Sequence, residues 1–104
     1  MDQYETIRLG TQTLLAIDVF DRCGDAVALD VTSCRITIRR KSDGARVVDN
    51  QAVSAGLLTN QIEYEWEPEA IGDYEAEWYV VSAATSRGEY SPSYPIKVVR
   101  RIAA

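Results

Sequence analysis

The sequence predicts an all-β sandwich, and three observations carry that prediction. From Tyr74 the chain alternates strictly, with Tyr74, Ala76, Trp78 and Val80 set against Asp73, Glu75 and Glu77. A period of two makes a strand with one buried and one wet face. The same alternation recurs at Cys34, Ile36 and Ile38 against Arg35, Thr37 and Arg39, and at Ile62, Tyr64 and Trp66 against Glu63, Glu65 and Glu67. Gly, Pro and Asp turn signals separate short runs of this kind, and no long stretch carries a helical period. Lastly, Gly72 stands two residues before Tyr74. A Tyr so placed opens the sixth strand of many immunoglobulin-type sandwiches, its hydroxyl tying down the corner.

The elements follow in order. Tyr4 to Leu9 places Ile7 and Leu9 on one face as a first strand, which Gly10 and Thr11 end. Thr13 to Phe20 aligns Leu15, Ile17 and Val19 as a second. Asp21 to Asp25 is a turn, with Gly24 available for positive φ. Val31 to Arg40 reads as one strand, and Asp43-Gly44 as a type I′ hairpin turn with a short return, Arg46 to Val48. Asn50 to Asn60 crosses between sheets, with a short irregular strand near Ala52-Val53. Gln61 to Trp66 is a strand ended by Pro68. The alternating run from Asp73 follows, then a loop from Ala83 to Tyr90 and a last strand, Ile96 to Ile102. The prediction is an immunoglobulin-like β-sandwich of seven or eight antiparallel strands in a single domain, 1–104.

Trp66, Trp78 and Tyr64 are expected at the heart of the core with Ile17, Ile36 and Ile38. Tyr79, Tyr90 and Tyr94 fall outside that pattern and are candidate contact residues, since Tyr is enriched at interfaces.

Composition narrows the function. With 46% hydrophobic and 26% charged residues the chain is of ordinary globular type. A net charge of −5 makes nucleic acid and anionic membranes poor partners. The opening residues are polar with no apolar leader, which points to synthesis in a cytoplasm. Cys23 and Cys34 are expected as free thiols, Cys34 buried. The chain has no His. That removes Ser-His-Asp and Cys-His catalysis and most zinc sites. No Gly-rich phosphate loop is present, and neither a cofactor nor a metal site is expected. Asp21, Asp25 and Asp30 match no known calcium-loop spacing. Glu63, Glu65 and Glu67, with Asp73, Glu75 and Glu77, read as wet outward faces of neighbouring strands rather than a catalytic carboxylate pair. Like charges so stacked need an offset. Arg35 and Arg39 supply it, either within the sheet or on a neighbouring copy.

Asp21-Arg-Cys-Gly24, Leu29-Asp-Val-Thr32, Ile36-Thr-Ile-Arg-Arg40, Asp43-Gly44 and Ile71-Gly-Asp-Tyr-Glu-Ala-Glu-Trp78 together resemble the immunoglobulin-like domains of tailed-bacteriophage virion proteins. The N-terminal domain of the baseplate upper protein is the nearest in pattern. The likeness spans roughly residues 15–80. The Thr32-Ser-Cys34 step departs from the Gly-Ala usual there. The resemblance implies a non-enzymatic structural protein in the virion, made in the host cytoplasm and docked to other virion proteins and to copies of itself. The alternative is a carbohydrate- or ligand-binding module that uses the exposed tyrosines on a surface glycan.

Overall fold

The structure is a computed structural model that describes residues 5–100. Its nine strands, among the described residues, are β1 (Glu5–Arg8), β2 (Thr13–Asp18), β3 (Arg35–Arg40), β4 (Arg46–Ala52), β5 (Ser54–Ala55), β6 (Gln61–Trp66), β7 (Gly72–Val81), β8 (Gly88–Tyr90) and β9 (Tyr94–Val99). One sheet runs β1-β9-β7-β3-β4, with β8 paired to the far half of β7. The other runs β2-β6-β5. The two sheets pack as a β-sandwich, as the alternating runs predict.

The buried parity of each run meets in the middle. Ile36, Ile38, Ala76 and Trp78 come from one sheet and Leu15, Ile62 and Trp66 from the other. Trp78 is fully buried, and Trp66 meets Tyr74 edge-on with ring centroids 5.2 Å apart. Ile17 and Tyr64 are only half-buried, so they flank this core rather than centre it. Both lie in the smaller sheet, which has too few strands to enclose them. Truncating Trp78 to Ala removes the largest fully buried side chain, a loss of about 3–5 kcal/mol.

The corner before β7 closes as the Gly-x-Tyr signal predicts. The Tyr74 hydroxyl donates to the Ala70 carbonyl at 2.8 Å. Gly72 takes a φ of 145°, which suits a residue without Cβ.

Other expectations change. β3 begins only at Arg35, because Val31–Ser33 forms a 3-10 turn. The Asp30 carboxylate accepts hydrogen bonds from the Thr32 and Ser33 hydroxyls and holds that turn. The β3–β4 hairpin is not type I′. Gly44 alone has positive φ there, and its N–H donates to Arg40 O at 2.8 Å, so the loop is wider. β4 runs on to Ala52 through register shifts, with Asn50 at φ 51° and its N–H on Thr37 Oγ1. The loop read from Ala83 to Tyr90 contains β8. Ser91 separates β8 from β9, exchanging bonds with the Trp78 main chain through both its N–H and its Oγ. β1 pairs with β9 in parallel, not antiparallel. Its partner is the last strand rather than its sequence neighbour β2, which joins the other sheet. Near the end of β7, Val81 is buried as well as Trp78 while Val80 is half-buried, because the segment from Leu29 to Ser33 packs there. Tyr4 and Ile102 lie outside the described residues.

Candidate functional site

The outer face of the larger sheet gathers most of the residues singled out from sequence. Register sets Arg35 beside Tyr79 and Tyr79 beside Tyr90, in one row across β3, β7 and β8. The two tyrosine rings pack at 4.9 Å between centroids and 52° between planes. Tyr90 is 70% exposed and Tyr79 is half-buried. Tyr79 lies over Gly88, where a Cβ would overlap its ring and hydroxyl. Gly88 is therefore the slot that lays Tyr79 flat, a role no local sequence signal announces. Arg35 is fixed from below, its Nη1 donating to Thr32 O at 2.8 Å and Cys34 O at 2.7 Å.

Beside this row the bulge at Asn50 leaves an open depression of about 410 Å³. Tyr79 and Tyr90 form one side, with Asp49, Asn50 and Glu77 among its polar groups. It offers an aromatic wall and mixed donors and acceptors on an open surface.

Arg39 is placed differently. It stands opposite Glu75 in register and forms an ion pair with it, the Nε bonding Oε1 at 2.9 Å. The Glu75 hydrogen bond first, and its charge second, hold the Arg39 pKa above the ordinary guanidinium value. Thr37 faces Glu77 and Lys97 faces Asp73. Glu75 and Asp73 thus face cations within their own sheet, while Glu77 faces Thr37, and Arg35 stands opposite Tyr79 rather than a carboxylate.

Two expectations are corrected here. The rows Glu63, Glu65, Glu67 and Asp73, Glu75, Glu77 are not on neighbouring strands, because β6 and β7 belong to different sheets. Pro68 and the Tyr74 corner carry the chain from one sheet to the other between them. The β6 row stands on the smaller sheet, whose strands β2, β5 and β6 carry no Lys or Arg. Tyr94 also sits apart from Tyr79 and Tyr90. It faces Ala76 and shares the inward parity of Ile96 and Val98, half-buried against the core.

The Asp turn residues have local work. Asp21 Oδ1 accepts the N–H groups of Cys23 and Asp25, both at 2.9 Å, and Gly24 takes φ 85°. The hydroxyls of Thr32 and Ser33 hold the Asp30 pKa below the usual carboxylate value. Among the described residues no group of three or more metal-ligating side chains comes together. Cys23 and Cys34 are free thiols, the first exposed and the second buried. Burial pushes the Cys34 thiol up. It donates to Asp30 O at 3.3 Å and accepts the Val81 N–H at 3.4 Å. Phe20, Leu57 and Leu58 are exposed apolar side chains that the sequence reading did not single out. The chain matches no protein-family model and no curated protein.

Proposed function

We propose that this chain is a non-enzymatic docking domain, an immunoglobulin-like module of a tailed-bacteriophage virion. It is made in the host cytoplasm and binds other virion proteins and copies of itself through the outer face of its larger sheet. The Tyr79–Tyr90 pair beside Arg35 is the observation that carries the docking reading. Paired, partly exposed aromatics next to an anchored guanidinium are the residue types that dominate protein contacts. The immunoglobulin-like reading is supported by strand order. A parallel first strand on the last, a β9-β7-β3-β4 succession and a separate β2-β6-β5 sheet fit that arrangement, as does the Tyr74 corner. The virion assignment rests on the motif resemblance from Asp21 to Trp78.

Mass spectrometry and electron microscopy of purified particles test the proposal. The chain is expected in mature particles at a fixed copy number. Gly88→Ala, which displaces Tyr79, and Tyr90→Ala are expected to lower its incorporation while leaving the unfolding midpoint of the isolated chain nearly unchanged. Absence from particles overturns the virion reading. Undiminished incorporation of both variants overturns the choice of face.

The depression beside Tyr79 and Tyr90 favours a second reading, a glycan-binding module. Aromatic walls with neighbouring carboxylate and amide groups suit a sugar ring. A glycan array on the isolated chain discriminates: signal lost in Tyr90→Ala supports this reading, and a blank array removes it.

A further inference from the structure

We infer that the open side of β6 accepts an extended, basic segment of a partner protein as an added strand. This rests on the docking-domain reading and names a second surface and the chemistry of what fills it.

The open edge follows from register. Val19 N–H bonds Asn60 O, so even-numbered residues of β6 turn their main chain toward β2. Gly56 N–H bonds Gln61 O, so odd-numbered residues turn theirs toward β5. Pairing on that side runs from Gln61 to Glu63 and stops, because β5 is two residues long. Continuing the ladder would bring Ala52 opposite Glu65. Ala52 is instead paired with Arg35 in the other sheet. Among the described residues the main-chain N–H and C=O of Glu65 therefore face a vacant lane, and such groups template an incoming strand.

Beneath that lane the sandwich is unzipped. A groove of about 400 Å³ opens between the sheets, with Val47 and Val48 of β4 on one side and Tyr64 and Trp66 of β6 on the other. Tyr74 is also in its lining. An added strand has alternate side chains at its disposal to fill such a groove. Arg40 lines the groove too, and its buried Nε–H has no hydrogen-bond partner among the described residues. It forms a long ion pair with Asp43, Nε to Oδ1 at 3.7 Å.

Charge selects the occupant. Glu65, Glu67 and Glu69 rim the groove, so Lys or Arg on the outward positions of the added strand is favoured. A second copy using the same edge would set Glu63, Glu65 and Glu67 against the same row, and like charges directly opposite repel. The occupant is a basic segment from elsewhere.

The test is an amide NMR titration of the full chain with a blocked Lys-Val-Arg-Val-Lys-Val peptide, and with a Glu-Val-Glu-Val-Glu-Val control. The basic peptide is expected to shift the amides of Glu65 and Glu67 and the Trp66 indole, and to slow exchange of the Glu65 amide. The double change Glu65→Lys, Glu67→Lys is expected to weaken binding about tenfold or more. Gly88→Ala, on the opposite face, is expected to leave it intact. No shifts at about 1 mM peptide, equal binding of the acidic control, or shifts confined to the Tyr79–Tyr90 face would overturn the inference. Shifts at the groove that follow protein concentration without peptide would assign the lane to a second copy and overturn it as well. Loss of the groove leaves the docking-domain reading standing if Tyr90→Ala still lowers incorporation into particles. Failure of the particle experiment leaves the peptide titration to be read on its own.

Discussion

Tyr74 does two jobs at once. Its ring packs against Trp66 in the core, and its hydroxyl ties the Ala70 carbonyl across the corner. Tyr74→Phe keeps the first contact and deletes the second. The Ala70 carbonyl then loses its partner at a part-buried position, and the chain is expected to lose about 1–2 kcal/mol in urea unfolding with an unchanged slope. A loss below about 0.3 kcal/mol would mean that water replaces the hydroxyl at no net cost. This role was legible from Gly72-Asp-Tyr74 because a turn followed by an inward Tyr has few other uses. Tyr94 was not legible in the same way. Pro92 and Pro95 obscured where β9 starts, and only the pairing with Ala76 reveals its inward parity. Gly88 was silent because a glycine that makes room for a neighbour looks, in sequence, like any loop glycine. Its meaning depends on a partner strand and a ring nine positions earlier.

At the scale of elements, the reading Gln61–Trp66 coincides with β6, while the alternating run read from Val31 becomes a strand only at Arg35. Misreadings fell where hydrogen bonding competes with alternation. Val31-Thr-Ser33 has β-branched residues that suit a strand, yet the Asp30 carboxylate captures the Thr32 and Ser33 hydroxyls and turns the chain first. Those two bonds also depress the Asp30 pKa. A carboxylate whose folded pKa is lowered stabilises the fold fully above its unfolded value, about 3.9, and this contribution fades as pH falls through the folded value. The urea midpoint of the wild type is therefore expected to drop more steeply below about pH 4 than that of Asp30→Asn. Parallel curves for the two proteins would show that the turn draws nothing from the ionised form. The placement of the acidic rows was unreadable for a different reason. Period tells which face a residue takes within a strand, while sheet membership depends on long-range pairing, and β6 and β7 part company there.

At the largest scale the described residues form a lopsided sandwich, with a six-stranded sheet over a three-stranded one. On the larger sheet Arg39 is paired with Glu75, and the exposed Tyr90 stacked on half-buried Tyr79 is left for contact. The smaller sheet keeps an unmatched acidic face and, past the two residues of β5, a vacant lane. Both proposed surfaces depend on the sheets closing over the same interior. At its centre lies the Trp78 indole, fully buried, its Nε1 without a hydrogen-bond partner among the described residues. Tryptophan fluorescence of Trp66→Phe, in which Trp78 is the one remaining indole, probes that interior most directly. The structure predicts short-wavelength emission that acrylamide does not quench until the chain is unfolded. Emission and quenching equal to those of the unfolded chain under native conditions would contradict it.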